Sequence, residues 1–111
     1  MHLIDVYQLE FIAEDLRKIL REIEKEFGPQ IITSLLRIND PGVYGTLPLR
    51  GVDLRCRNRD IGEIATKWVN QRWQYDPHRP NKPVADPHGL GSEYHIHLQV
   101  HPSTYRVGYP K

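Results

Sequence analysis

The sequence contains a single cysteine, Cys56, so the chain can form neither an internal disulfide nor a cysteine-rich zinc site. No apolar run approaches the roughly 20 residues that a membrane-spanning helix needs. The N-terminus lacks a basic region followed by an apolar run, so we expect no signal peptide and synthesis in the cytoplasm. An excess of one charge is also lacking, because 15 basic and 14 acidic residues leave a formal net charge of +1. This balance argues against nucleic acid or a membrane as the main partner.

The length of 111 residues predicts one domain, with a core over about residues 6–101 and a tail at 102–111. Apolar residues recur at spacings of three and four over 6–27, which predicts an amphipathic helix that Gly28-Pro29 ends. A second helix is predicted over 60–75, starting with an Asp60–Glu63 capping box. Its predicted buried stripe consists of apolar residues at helical spacing: Ile61, Ile64, Ala65, Trp68, Val69 and Trp73.

Three segments are predicted to be strands: 30–37, 49–54 and 94–101. The first is apolar and β-prone, which favours a central position in the sheet. Together with the helices, these strands predict an α+β fold with a small antiparallel sheet and two main helices. Residues 75–91 are rich in Pro, Gly, Asp and His, which predicts a long loop, and long loops inside compact domains are often functional.

The last predicted strand carries three histidines on one side. Its residues alternate between an apolar set and a polar set, Tyr94, Ile96, Leu98 and Val100 against His95, His97, Gln99 and His101. Same-face neighbours on a strand lie roughly 6.5–7 Å apart. His95 and His97 can therefore share one small site, one as a metal ligand and the other as an acid/base or polarising group. The alternative is a solvated polar face that happens to carry histidines.

The second predicted strand carries a carboxylate between two apolar residues, with Asp53 between Val52 and Leu54. Burying an unpaired carboxylate costs several kcal/mol or forces it to take up a proton. Asp53 must therefore be exposed, paired with a nearby arginine such as Arg50 or Arg55, or bound to a metal.

This order of elements, with Asp53 on one strand and the His95-Ile96-His97 motif on a later one, resembles the zinc peptidases of the D-alanyl-D-alanine carboxypeptidase and phage endolysin type. Hedgehog signalling domains share that fold. The resemblance covers roughly residues 9–101. It implies zinc as the cofactor, Asp53 and His97 as zinc ligands, and His95 as the residue that polarises the substrate or stabilises the oxyanion.

The resemblance also suggests further site residues. Glu93 is the nearest match to the family's acid/base position, although it stands four residues before His97. Arg50 or Arg55 would bind a substrate carboxylate, because a guanidinium matches that group in a bidentate way.

One zinc ligand of the family pattern is missing. The pattern has a His seven residues before the Asp, and Thr46 stands there; if the loop is two residues longer than usual, Tyr44 stands there instead. Neither residue is a usual ligand of catalytic zinc. Three interpretations stay open. His88 moves in as a substitute ligand, the site has lost metal and activity while keeping the fold, or the alignment is wrong and the histidine face serves another role.

The resemblance implies a phage-encoded zinc peptidase-like protein of the peptidoglycan-hydrolase type, with an incomplete or altered metal site. Its partner would be a peptide or a peptidoglycan fragment. It would reach the cell wall in a virion or on lysis. The alternative is a non-catalytic virion, prophage or cell-wall-binding module, so enzymatic activity is left open by the sequence. A histidine-triad phosphate hydrolase is a third hypothesis, but no phosphate-binding loop accompanies the histidines.

Overall fold

The structure, a computed structural model, describes residues 12–36, 49–56 and 58–108. Within these ranges the chain is an α+β fold of two helices and a four-stranded antiparallel sheet, with a separate two-stranded ribbon. In chain order, the elements are α1 (Glu14–Phe27), β1 (Ile32–Leu36), β2 (Gly51–Arg55), α2 (Arg59–Arg72), β3 (Trp73–Gln74), β4 (Ala85–His88), β5 (His95–Gln99) and β6 (Tyr105–Arg106). The sheet has the order β1-β2-β5-β4. Neither helix in these ranges is long and apolar enough to cross a membrane.

The first helix is the amphipathic helix that the sequence predicts, but it begins at Glu14. Residues 1–11, where the predicted start falls, lie outside the described residues. Its buried side consists of aliphatic residues at helical spacing: Leu16, Ile19, Leu20 and Ile23. Gly28 ends the helix as predicted, with φ at 89° and its N–H donated to the carbonyl of Glu24. Glycine suits this position because a Cβ disfavours positive φ.

The second helix buries most of the face that its spacing predicts, since Ala65, Val69 and Trp73 are buried and Trp68 packs against the core, but the prediction is wrong for Ile61 and Ile64. Ile61 and Ile64 are 49% and 60% exposed, whereas Gly62 and Val69 are buried. A Cβ added at Gly62 would lie 2.6–2.7 Å from the ring and hydroxyl of Tyr94. The missing side chain therefore allows α2 to pack closely against Tyr94, and in this orientation the two isoleucines lie on the solvent side.

Two further predictions about these elements are wrong. The N-cap of α2 is Asn58, whose Oδ1 accepts the N–H of Ile61 at 3.2 Å, and not Asp60. A side-chain oxygen at Asn58 satisfies a free helix N–H just as the predicted capping box would. The first strand, β1, lies at the edge of the described sheet instead of its centre. Its apolar composition fits the edge position because the strand still has one core-facing side, on which Ile32 is 5% exposed.

The sheet separates an apolar face from a polar one. Val52 and Leu54 of β2 lie opposite Leu98 and Ile96 of β5, and all four side chains are at most 6% exposed. They belong to one core together with the buried sides of α1 and α2. Successive strand residues point to opposite faces, so Asp53 projects from the other side of the sheet.

Part of the predicted loop over 75–91 is an edge strand. β4 pairs antiparallel with β5, with Ala85 opposite Leu98 and His88 opposite His95. An edge strand tolerates Pro87 because one of its sides has no ladder partner. The prolines and glycines of this segment favour a loop when the sequence is considered alone, and pairing with β5 overrides that preference.

The described part of the predicted tail packs against the domain. β6 pairs with β3, with Arg106 opposite Trp73. Glu22 of α1 accepts one hydrogen bond from the Trp73 indole at 2.9 Å and another from Arg106 Nε at 3.0 Å. This carboxylate therefore joins the ribbon to the first helix.

The turn after β3 makes the stability of the fold sensitive to acid. The Asp76 carboxylate accepts the backbone N–H of His78 and a hydrogen bond from Arg79 Nε, each at 3.0 Å. These bonds, with the backbone one contributing most, hold the pKa of Asp76 below its ordinary value of 3.8. Because the folded pKa lies below the unfolded one, the stabilisation is complete above about pH 4 and is lost as the pH falls through the folded value.

We therefore expect Asp76→Asn to lower the urea midpoint at about pH 7 and to have a much smaller effect at about pH 2. Asp60→Asn, at an exposed position in the first turn of α2, is the control and should show no such difference. An equal loss for Asp76→Asn at both pH values would contradict the linkage.

Candidate metal and catalytic site

Five aspartate and histidine residues gather on the polar face of the sheet, on β2, β4 and β5: Asp53, Asp86, His88, His95 and His97. Asp53 lies directly opposite His97, which has Asp86 directly opposite it on its other side. His95 lies opposite His88 in the next row. Side chains at directly opposite positions share a face, with Cβ atoms about 4.5–5.5 Å apart. We call these five residues the histidine–aspartate cluster.

Asp53 and His97 are in direct contact. His97 Nδ1 lies 3.0 Å from Asp53 Oδ1, and the two side chains are 19% and 22% exposed. A carboxylate only accepts, so Nδ1–H is the donor and, in the neutral ring, Nε2 carries the lone pair. Asp53, which the sequence places between two apolar strand residues, therefore has an imidazole partner 44 residues further along the chain.

His95 is oriented by a backbone group. Its Nδ1 lies 2.9 Å from the carbonyl oxygen of Glu93, and its Nε2 lies 3.9 Å from Asp53 Oδ2. Because the carbonyl can only accept, Nδ1 again carries the proton and Nε2 of the neutral ring carries the lone pair. His95 therefore presents a proton-accepting nitrogen on the side where Asp53 lies.

Glu93 contributes its backbone to the cluster. It lies in a short 3-10 turn, Gly91–Glu93, and is exposed. Tyr94 separates this turn from β5, so the alternation of the strand does not extend back to Glu93. The acid/base role of the Glu93 carboxylate stays a prediction.

His88 lies on β4, where the sequence predicts a loop. Its ring centroid is 5.8 Å from that of His95 and 6.0 Å from that of His97. Its Nε2 lies 3.2 Å from Oδ2 of Asp86, a residue that the sequence interpretation missed. Asp86 and His88 are two residues apart, which is the spacing of side chains on one face of a strand. This spacing could have predicted that both lie on one face, but Pro87 between them favours a loop.

The other predicted site residues do not all lie near the histidine–aspartate cluster. Arg55 lies directly opposite His95 and is exposed, so it borders the cluster. Arg50 precedes β2, and its carbonyl accepts the N–H of Val100. Tyr44 and Thr46, at the position of the missing ligand, lie outside the described residues.

The donor types of the cluster suit zinc, which prefers imidazole and carboxylate ligands. Two ligand atoms on tetrahedral zinc lie about 3.3 Å apart, given bonds of about 2.05 Å. The 3.0 Å between His97 Nδ1 and Asp53 Oδ1 is close to that value, but it is also the length of the hydrogen bond between them, so a metal bound by both atoms would have to displace the Nδ1 proton. Across residues 12–36, 49–56 and 58–108, however, no three His, Cys, Asp or Glu side chains converge tightly enough to hold a metal ion. The described residues therefore bring two candidate ligands, Asp53 and His97, into contact and no third.

The chain matches no family model, no curated protein and no solved structure. Its function is therefore inferred from the site and from the resemblance of its motifs.

Proposed function

We propose that this protein is a zinc peptidase-like hydrolase of the peptidoglycan-hydrolase type, with a hedgehog-like fold and an altered metal site. The observation that carries the proposal is the direct contact of Asp53 with His97 across β2 and β5. The family pattern requires a carboxylate and an imidazole on neighbouring strands that face one cleft. The position of His95 on the same face supports the proposal further.

In this proposal Asp53 and His97 hold the metal. Bound zinc supplies Lewis-acid activation of water and of a peptide carbonyl. The two ligands are largely shielded from solvent, which favours a fixed arrangement over a freely rotating one.

His95 is the proposed general base and general acid. Its Nδ1–H is donated to the Glu93 carbonyl, which fixes the ring and leaves the Nε2 lone pair to take a proton from the attacking water. The same nitrogen then returns the proton to the leaving amine. Arg55, opposite His95 and exposed, is the proposed contact for a substrate carboxylate.

Zinc titration by calorimetry tests the proposal. We expect one zinc ion per chain, and a loss of affinity of about 100-fold or more in Asp53→Asn and in His97→Ala, since each removes one of few ligands. Asp60→Asn and His78→Ala are the matched controls, because both residues are exposed and lie outside the cluster. A folded wild-type chain that takes up no zinc would contradict the proposal.

One observation favours a second candidate, a non-catalytic module that binds the cell wall. Both carboxylates of the cluster have an imidazole partner within the protein, and no three side chains in the described ranges form a metal site. This candidate predicts that zinc-free protein cosediments with purified peptidoglycan and releases no peptide from it. Zinc-dependent release of peptide, lost in His97→Ala, would exclude the second candidate.

A further inference from the structure

We propose that the solvent-facing side of α2 is a dimerisation surface, on which a second copy of this chain docks through its own α2 in the antiparallel orientation. This inference does not depend on the proposed zinc function, because the histidine–aspartate cluster occupies the polar face of the sheet and α2 packs on the apolar one. The surface consists of exposed or partly exposed residues at helical spacing, and we call them the outer face of α2: Asp60, Ile61, Ile64, Lys67 and Trp68.

Apolar side chains on the outer face of α2 are open to solvent. Ile61 and Ile64 are 49% and 60% exposed and lie one turn apart, and Trp68 on the next turn is only partly buried. A single exposed isoleucine is ordinary on a protein surface, but apolar side chains on three successive turns form a stripe that a neighbouring helix usually covers. The helical spacing of the sequence predicts burial of both isoleucines, and a second copy of the chain supplies that burial.

Trp68 is held in place before any partner binds. Its ring meets the edge of Phe27 from α1 at a centroid distance of 5.5 Å, and the Arg72 guanidinium lies 4.1 Å from the ring centroid. Arg72 Nη1 also donates a hydrogen bond to the carbonyl oxygen of Trp68 at 3.1 Å. Aromatic and arginine side chains are enriched in protein interfaces, and a side chain that is already ordered loses little further freedom on association.

The charges of the outer face complement those of an antiparallel copy. At about 100° per residue, Asp60 and Lys67 lie on one flank of Ile64, and Ile61 and Trp68 lie on the other. A two-fold axis across α2 at Ile64 sets each flank against the same flank of the copy, which runs in the opposite direction. Asp60 then lies opposite Lys67 of the copy, because their midpoint is within half a residue of Ile64. Ile61 lies opposite Trp68 of the copy for the same reason.

The parallel orientation does not match these charges. It would set the charged flank of one helix against the apolar flank of the other and remove Asp60 and Lys67 from water without a partner. Arg59 and Glu63 already form an ion pair within α2, at 3.6 Å. Asp60 and Lys67 have no ion pair among the described residues and are exposed, so both can pair with a second copy.

The length of the helix indicates how strong the dimer is. α2 has 14 residues and is therefore about 21 Å long. A contact of this length is near the lower limit of specific interfaces, which bury at least about 1,000 Å² in total. We therefore expect a dissociation constant of about 10–100 μM. At low micromolar concentration, where the unfolding of Asp76→Asn and Asp60→Asn is to be compared, the chain is a monomer.

Sedimentation equilibrium of the full chain over about 5–500 μM, with a chelator present so that no metal bridges two copies, tests the proposal. We expect a monomer–dimer equilibrium for the wild type. Ile64→Glu brings two carboxylates together on the two-fold axis and should weaken the dimer by about 100-fold or more. Leu90→Glu is the matched control, because Leu90 is 75% exposed and lies outside the outer face of α2, and it should leave the dissociation constant unchanged.

Reversed charges test the antiparallel register. Asp60→Lys and Lys67→Asp each set like charges opposite one another, twice per dimer, and each should weaken the dimer by about 10-fold or more. An equimolar mixture of the two variants again sets unlike charges opposite one another at both positions, so it should associate as tightly as the wild type. A variant that had merely lost its fold would not be rescued by mixing.

Three results would overturn the proposal. The first is a wild type that stays monomeric at about 500 μM, whether residues of its own chain or a different protein then cover this face. The second is a dimer that Ile64→Glu leaves unchanged, because another surface must then hold it together. The third is a mixture of Asp60→Lys and Lys67→Asp that associates no better than either variant alone. None of these results bears on zinc binding, which is tested separately.

Discussion

A chain that carries Tyr44→His should bind zinc about 100-fold more tightly than the wild type. The family pattern that this sequence resembles has a histidine before the aspartate ligand, and Tyr44 takes its place if the intervening loop is two residues longer than usual. The free energy of zinc binding at structural sites with four ligands is about 10–16 kcal/mol. One ligand therefore contributes roughly 3 kcal/mol, which is a factor of about 100 in affinity. A histidine that serves as a third ligand should raise the zinc affinity by that factor.

Calorimetric titration of the variant and the wild type measures the effect, and Thr46→His is the matched comparison. Thr46 occupies the alternative position, seven residues before Asp53. Tighter binding by Thr46→His than by Tyr44→His would show that the loop has the ordinary length. If neither substitution improves zinc binding while Asp53 and His97 remain essential, the assumed geometry of this segment is wrong.

Replacement of Leu98 by Ala should lower the free energy of unfolding by about 3 kcal/mol and the Tm by roughly 10–20 °C. Leu98 lies on β5 with no exposed surface, opposite both Val52 and Ala85. Its removal leaves a cavity in the core beside the neighbouring strands β2 and β4, and packed neighbours refill such cavities only partly. A loss of this size is a large part of the stability that a domain of this length usually has.

The same substitution at Leu90 is the control. Leu90 is 75% exposed, and Leu90→Ala should change the free energy of unfolding by no more than about 0.5 kcal/mol. Urea unfolding followed by circular dichroism measures both variants. Equal stability of the two would mean that the sheet does not bury Leu98 as described.

Much of the fold could be predicted from local pattern. The alternation over 94–101 predicts β5 and both of its faces, and the helical spacing over 6–27 predicts the buried side of α1. Local backbone geometry generates both patterns, so a window of a few residues contains them. The helical spacing also predicts the burial of Ala65 and Val69 on α2, but the exposure of Ile61 and Ile64 could not be predicted in this way, because it accompanies the close packing of Gly62 against Tyr94, 32 positions away in sequence.

The candidate site, like the fold, could be predicted only in part from local pattern. Residue types and their spacing are enough to show which side chains are chemically able to serve the site: a carboxylate between apolar residues in one strand, and imidazoles at every second position of another. The contact of Asp53 with His97, and the position of Asp86 and His88 on the same face, follow from the pairing of β2 and β4 with β5, which is seen only in the folded chain. Strand partners far apart in the chain are chosen by the burial of the opposite, apolar face of the sheet, and that is a property of the whole core and not of either segment.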